Sequence, residues 1–228
     1  MTKRNVDELK SYYYSANLDN NNSNNASFDG PSKYFSLEAL KACEKHFLGH
    51  RHLEMIYAVL PAWGMHRSGN SGSKMPEYDV FCKSILRNKD TLLSLKEKRV
   101  ELISKPEWNQ VLTTFEELLF GNERIIASTT KARLVSGSKT LAHILPDLVP
   151  PIDRHYTASF FGYDRYNLSK SKEIELFRTV MQHMHCIYKD EETLQQALAL
   201  QKKNGVSLPK MFDNAIILLM SNNNKNNN

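Results

Sequence analysis

Apolar side chains recur at helical spacing through most of the chain. One stripe lies between residues 108 and 119, and Gly121 follows it as a stop signal. A second stripe covers residues 174–188. Pro209 precedes a last helix, predicted over 210–220, whose apolar run is typical of a buried core helix. Because no stretch alternates with period two between hairpin turns, the pattern predicts an all-α fold of about eight to ten helices.

Two asparagine tracts interrupt this pattern, at residues 17–25 and 221–228. Amide side chains contribute no burial energy that could offset the entropy of the chain, so both tracts are predicted to be disordered. The sequence therefore predicts a tail over 1–33, one globular multi-helix domain over 34–220 and a disordered tail over 221–228.

The first helix of the domain is predicted to begin at Ser36, whose residue type is that of an N-cap, and to continue through Leu48. A Gly- and Ser-rich stretch over 67–76 is predicted to be the longest loop. Trp63, just before this loop, has two interpretations. It is either a buried structural side chain or a ring that stacks on an unpaired base.

The charge balance is mildly basic, with 30 Lys and Arg against 25 Asp and Glu and a net charge of +5. Such a balance allows a basic face that binds phosphates, and it equally fits an ordinary solvated surface. No apolar run approaches the roughly 18 residues of a membrane span, and the first residues carry no secretory signal. With three scattered cysteines, these features predict an intracellular protein of the nucleus or cytoplasm with no membrane partner.

The common phosphate- and cofactor-binding motifs are absent from the sequence. There is no Walker loop, no Rossmann glycine fingerprint, no Gly-x-Ser-x-Gly elbow and no His-Glu-x-x-His pattern, so no cofactor is predicted. Histidines cluster twice, but Gly49 interrupts one group and the members of the other point to opposite sides of a helix. No metal site is predicted from them. The two groups are His46, His50 and His52, and His183 and His185.

The stretch over 134–162 holds the candidate chemistry. Residues 135–139 (Val-Ser-Gly-Ser-Lys) are predicted to form a small-residue turn that opens a helix, where free backbone N–H groups and Lys139 form a phosphate seat. Three prolines then stop this helix and hold an extended connector. Asp153 is predicted to cap the next helix, and Arg154 adds positive charge beside it.

This order of turn, helix, proline connector and aspartate resembles the helix-hairpin-helix DNA glycosylase superfamily over about thirty residues. In that family a glycine-containing hairpin grips a DNA phosphate and a catalytic aspartate follows in a Pro-x-Asp sequence. In bifunctional members a lysine after the hairpin acts as the nucleophile. The resemblance implies duplex DNA as partner, with catalytic and DNA-binding roles distributed over the motif. Gly137 would be the hairpin glycine, Lys139 and Asp153 the catalytic pair, and Ser136, Ser138, Lys139 and Arg154 further DNA-binding residues.

Two functional hypotheses follow. In the first, the chain is a nucleic-acid-binding helical domain, a divergent or degenerate DNA glycosylase of base-excision type. The turn at 136–139 would then hold a backbone phosphate while Asp153 supports charge at the sugar. In the alternative, the chain is a non-enzymatic helical protein-interaction or structural module in which Lys139 is a solvated lysine and Asp153 only a helix cap. Whether the protein is an enzyme stays open at this point.

Overall fold

The computed structural model describes residues 30–65, 75–126, 133–164, 166 and 168–226. Within these residues the chain is helical and contains no strand, which confirms the all-α prediction. The resemblance to a glycosylase fold stays a prediction. The described residues divide into two compact units. The first unit takes those within 25–97 and 105–145, and the second takes those within 98–104 and 146–228.

The described part of the first unit contains six helices. In chain order they are α1 (Pro31–Lys45), α2 (His50–Ala62), α3 (Tyr78–Arg87), α4 (Lys89–Leu95), α5 (Lys105–Phe120) and α6 (Leu134–Ile144). A four-residue link joins α1 to α2, and the two pack closely along each other as a helical hairpin. α6 packs against α1, α2 and α5, so it lies inside the unit.

The apolar stripe predicted between 108 and 119 is the buried face of α5. All six side chains of the stripe are at most 5% exposed. Burial of each large apolar side chain contributes about 1.5–3 kcal/mol, which makes this face a principal source of stability for the unit. α5 ends at Phe120, and the N–H of Gly121 donates to the carbonyl of Glu117 at 3.0 Å, so the predicted stop is confirmed. The six residues are Trp108, Val111, Leu112, Phe115, Leu118 and Leu119.

The first helix begins earlier and ends sooner than the sequence indicated. α1 starts at Pro31. Proline is favoured at the first helical position, because an N–H group there would have no carbonyl partner within the helix. Ser36 is therefore an interior helical residue, and its prediction as an N-cap is wrong. α1 ends at Lys45, and Leu48 in the link has a φ of 55°, a left-handed conformation that no helix can contain. Gly49 then precedes the start of α2 as its N-cap.

The second unit contains a short π-helical turn and three helices among its described residues. These are the turn Arg154–Ala158, α7 (Lys170–Ile187), α8 (Glu191–Asn204) and α9 (Leu208–Asn226). α9 packs against both the π-helical turn and α8. The predicted stripe over 174–188 is the buried face of α7, with Phe177 and Met181 fully enclosed. The ring Nε2 of His185 bonds to the carbonyl of Ile103 at 3.0 Å and so joins α7 to the segment 98–104.

Several predicted boundaries differ from the structure or lie beyond it. α9 runs through Asn226, so residues 221–226, which were predicted to be disordered, are helical. The asparagine tract at 17–25 and most of the predicted loop at 67–76 lie outside the described residues. No helix in the described ranges is long and apolar enough to cross a membrane.

Candidate functional site

Residues 135–139 do not form an exposed turn. They lie within α6, which begins at Leu134, and the N–H of Gly137 already donates to the carbonyl of Arg133 at 3.0 Å. The prediction of an exposed, outward-facing turn is therefore wrong, because this helix packs inside the unit and its small side chains face other helices. The exposed fractions of the predicted contact residues are 1% for Ser136, 0% for Ser138 and 7% for Lys139.

Gly137 allows two helices to approach closely. Its backbone is helical, and a Cβ added there would collide with Cδ2 of Leu119 on α5. The side chain of Leu119 is 1% exposed, so the surrounding core leaves it little room to move. Helix packing thus accounts for this glycine, and its assignment as a DNA-gripping residue stays a prediction.

Lys139 reaches from α6 to the end of α2. Its ammonium group donates to the carbonyl oxygen of Trp63 at 3.4 Å and lies 5.9 Å from the centre of the Trp63 ring. Trp63 is the C-cap residue of α2, where carbonyl groups lack helical partners and a positive charge is favourable. Lys139 is therefore neither a solvated lysine nor a phosphate seat in this structure. The nucleophilic role implied by the resemblance stays a prediction.

Two buried histidines that the sequence reasoning missed connect the same helices. A backbone carbonyl only accepts, so Nδ1–H of His143 donates to the Lys139 carbonyl at 2.8 Å. Nε2 of His143 lies 3.2 Å from the Ser36 hydroxyl, within hydrogen-bond distance. Nδ1 of His52 accepts from the N–H of Leu48 at 3.1 Å, and its Nε2–H donates to the His143 carbonyl at 3.1 Å.

This network holds α1, α2 and α6 together and requires a neutral imidazole ring at His52. Burial lowers the pKa of His52, because the charged form would lose its hydration. Protonation of its Nδ1 would also remove the acceptor for the Leu48 N–H. The only sequence signal was two histidines at the start of α2 and one near the end of α6, which is too weak to predict a network between them.

Asp153 acts as a helix cap. Its Oδ1 accepts from the N–H of His155 at 2.7 Å and from the N–H of Tyr156 at 3.4 Å, which confirms the N-cap prediction. The element that it caps is the five-residue π-helical turn rather than a regular α-helix. Asp153 belongs to the second unit and Lys139 to the first. The catalytic role implied for Asp153 stays a prediction.

Arg154 forms an ion pair with a buried carboxylate. Its Nη2 lies 3.1 Å from Oε1 of Glu173 on α7, and the Glu173 side chain is 1% exposed. A carboxylate in such surroundings needs a cationic partner, since burial of an unpaired charge is costly. The positive charge of Arg154 is therefore used within the fold, and its assignment to DNA binding stays a prediction.

The histidines of the two sequence clusters have separate partners. His52 belongs to the network above, Nδ1 of His183 bonds to the carbonyl of Thr179 at 2.7 Å, and His185 bonds to Ile103. Within the part of the chain that the structure describes, no group of three or more His, Cys, Asp or Glu side chains could hold a metal ion.

A basic surface that the sequence reasoning missed lies at the α1–α2 hairpin. The pKa of Glu38 is lowered, first by its hydrogen bond from Lys41 at 2.9 Å, and further by the charges of Arg51 and Lys45. Lys41 therefore contacts Glu38 directly, whereas Lys45 and Arg51 act on it through their charges. Arg51 also pairs with Glu54, whose Oε2 lies 3.7 Å from its Nη1, and Glu44 is exposed in the same stretch. Exposed imidazoles flank the three cations. The basic hairpin comprises Lys41, Lys45, His46, His50 and Arg51, a set of basic residues within eleven positions that the sequence displayed.

The start of α2 lies within this basic hairpin and has no side-chain cap. Gly49 is the N-cap residue, and the N–H of Leu53 makes the first helical bond, to the Gly49 carbonyl at 3.0 Å. The N–H groups of residues 50–52 therefore have no carbonyl partner four residues earlier in the helix. Such a terminus carries a partial positive charge that favours anions. A turn closed by the N–H of Gly49, which donates to the carbonyl of His46 at 2.9 Å, leads into this helix start.

An open groove continues along α2 from the basic hairpin. It has a volume of about 330 Å³. The rings of Tyr57 and Tyr78 meet edge to face in it, with centroids 5.1 Å apart. Burial raises the pKa of both phenols, so both stay neutral at ordinary pH. The lining residues are Arg51, Glu54, Met55, Tyr57, Ala58 and Tyr78.

No family model matches this chain, and no curated protein or solved structure does either. Roles for its residues are therefore inferred from the contacts, burial and charges described above.

Proposed function

We propose that this chain is a nucleic-acid-binding helical domain that contacts the phosphate backbone through its basic hairpin. The observation that carries the proposal is that one helical hairpin holds Lys41, Lys45 and Arg51, all near enough for their charges to act on Glu38, beside the uncapped start of α2. Phosphate oxygens accept hydrogen bonds both from lysine and arginine side chains and from N–H groups at a helix start. Because such contacts carry no base information, the binding is expected to be largely independent of sequence.

The proposal includes no base excision by Lys139 or Asp153. The ammonium group of Lys139 is engaged with Trp63, and Asp153 caps the π-helical turn. Either side chain would have to leave a structural contact before it could reach a sugar. We therefore expect no strand cleavage and no base release from damaged oligonucleotides, and we expect Asp153→Asn to leave binding unchanged.

Salt dependence of binding is the direct test of the basic hairpin. We expect the affinity for duplex DNA to fall steeply between about 50 and 200 mM salt. Lys45→Gln/Arg51→Gln should reduce the slope of log K against log salt by about 1.8, since each phosphate contact contributes about 0.9. Fluorescence anisotropy with labelled duplex at several salt concentrations measures both quantities.

Lys105→Gln/Lys170→Gln is the matched control, because it removes two exposed lysines elsewhere and changes the net charge equally. The control should keep the parent slope. An equal loss of slope in both variants would show that the charge acts diffusely, and salt-independent binding by the parent would overturn the proposal.

A non-enzymatic protein-interaction module is the second candidate function. The observation in its favour is that α3 and α4 expose Val80, Leu86 and Leu93 by 43%, 43% and 44%, whereas such side chains are mostly buried. If the parent binds no nucleic acid at low salt but self-associates with rising concentration, and Leu86→Ser abolishes this association, the second function is favoured. Sedimentation velocity provides the measurement.

A further inference from the structure

The groove on α2 shares a side chain with the basic hairpin. Arg51 belongs to the hairpin and also lines the groove, so a phosphate bound at the start of α2 leaves the adjoining nucleoside within reach of the groove. Cations that track a backbone beside aromatic side chains that stack with bases are the combination by which proteins bind single strands. We infer that the groove takes an unpaired nucleobase, and that the domain prefers single-stranded to duplex nucleic acid. This inference rests on the proposed function.

The two tyrosine rings form a fixed stacking platform. The hydroxyl of Tyr57 donates to the carbonyl of Pro76 at 2.9 Å, and the hydroxyl of Tyr78 is buried. The Tyr57 ring also meets Phe81 edge to face at 5.2 Å, so the core supports it from behind. Rings held in this way lose little freedom when a base stacks on them, which favours binding.

A single strand suits this groove better than a duplex does. In a duplex both faces of each base are covered by neighbours, so a base enters an aromatic groove only after unstacking and unpairing. In a flexible single strand the bases are unpaired and only partly stacked, so both the unpairing and the unstacking cost are smaller. The groove is open rather than enclosed, so the strand can enter and leave along α2.

Glu54 provides a preference among bases. Its Oε1 lies 3.4 Å from Nδ1 of His50 and its Oε2 lies 3.7 Å from Nη1 of Arg51, so the Arg51 charge partly offsets its own. A carboxylate has further lone pairs that accept from an exocyclic amino group, as a glutamate does from N4 of cytosine. Cytosine, adenine and guanine carry such a group, whereas thymine does not. The groove should therefore favour the amino-bearing bases over thymine.

The test compares homopolymer strands of about 12 nucleotides with a duplex of equal length, by fluorescence anisotropy at fixed salt. We expect oligo(dC) and oligo(dA) to bind more tightly than oligo(dT), and each to bind more tightly than the duplex. Tyr57→Leu should weaken single-strand binding about tenfold, whereas Tyr57→Phe keeps the ring and should retain it. Tyr34→Leu is the matched control, because Tyr34 is an exposed aromatic of α1 that does not line the groove.

Glu54→Gln provides a second, independent variant that needs no change in the half-buried rings. It should bring the affinities for oligo(dC) and oligo(dT) closer together, because an amide both accepts and donates. If Tyr57→Leu proves unfolded by circular dichroism, Tyr78→Leu and Glu54→Gln decide the question.

Two results would overturn the inference. One is equal single-strand affinity in Tyr57→Leu, Tyr78→Leu and Tyr34→Leu, and the other is duplex binding as tight as that of every homopolymer. If either occurs while the salt slope still depends on Lys45 and Arg51, the groove plays no part and the proposed function stands. Absence of salt-dependent binding to both strand forms would remove the two together.

Discussion

Replacement of Gly137 by alanine tests whether this glycine serves helix packing or an open hairpin. The new methyl group would point at Cδ2 of Leu119, which is buried in the core between α5 and α6. Alanine at an open helical position stabilises a protein by up to about 1 kcal/mol relative to glycine. Extra volume in a packed core instead costs about 1–3 kcal/mol. The sign of the change therefore separates the two roles.

The expected net effect of Gly137→Ala is a loss of roughly 1 kcal/mol, because the steric cost exceeds the gain in helix propensity. For a chain of 228 residues this corresponds to a fall of about 2–4 °C in the unfolding midpoint. Thermal and urea unfolding followed by circular dichroism measure it. The same glycine substitution is then repeated in the Leu119→Val variant, in which the obstructing side chain is shorter.

In the Leu119→Val background the same glycine substitution should become neutral or stabilising. Such a change of sign would be a coupling of about 1 kcal/mol or more between the two positions, as expected of residues in direct contact. A higher midpoint for Gly137→Ala in the parent would refute the packing explanation. It would also restore the possibility that Gly137 lies at an open turn.

Three further predictions concern the buried polar groups. Because burial lowers the pKa of His52 in the folded state, the unfolded chain takes up the proton first, so stability is retained above about pH 6.5 and is lost as the pH falls below it. Urea unfolding at several pH values should show this loss, and His52→Gln should reduce it while a variant of the exposed His50 should not. Asp153→Ala should cost about 0.5–2 kcal/mol through loss of the cap, and Asp153→Asn much less. Equal losses in the two variants, measured by thermal unfolding, would argue against capping. Arg154→Met should cost roughly 2–3 kcal/mol, less than for a fully buried pair because Arg154 is a third exposed. Addition of Glu173→Gln should recover much of this loss in the same assay, and no recovery would contradict the role of the ion pair.

Local sequence patterns predicted the helices whose apolar faces are regular. The stripe on α5, its stop at Gly121 and the cap at Asp153 all depend on side chains within a turn or two of each other. Ser36 shows where such patterns fail. A serine has the residue type of a helix cap, but here its hydroxyl bonds to His143, which lies 107 positions further along the chain.

In the candidate site, too, some features are visible in the sequence and others depend on contacts between distant residues. The basic residues of the hairpin and their spacing are visible in the sequence, but the sequence does not show that the charges of three of them act on Glu38. Likewise, residues 135–139 are small and polar, which indicated an exposed turn. Their burial results from helices that are distant in sequence and close in space, since Leu119 fills the space over Gly137.

Helical class and the apolar faces of α5 and α7 are properties of the sequence alone, because they repeat every three or four residues and need no distant partner. The environment of each polar side chain is a property of the folded chain. Lys139 is buried because its ammonium group finds a carbonyl 76 positions away, at the end of another helix. A polar group can be buried only where the assembled fold supplies its hydrogen-bond partner, and no local pattern records which distant residue that will be.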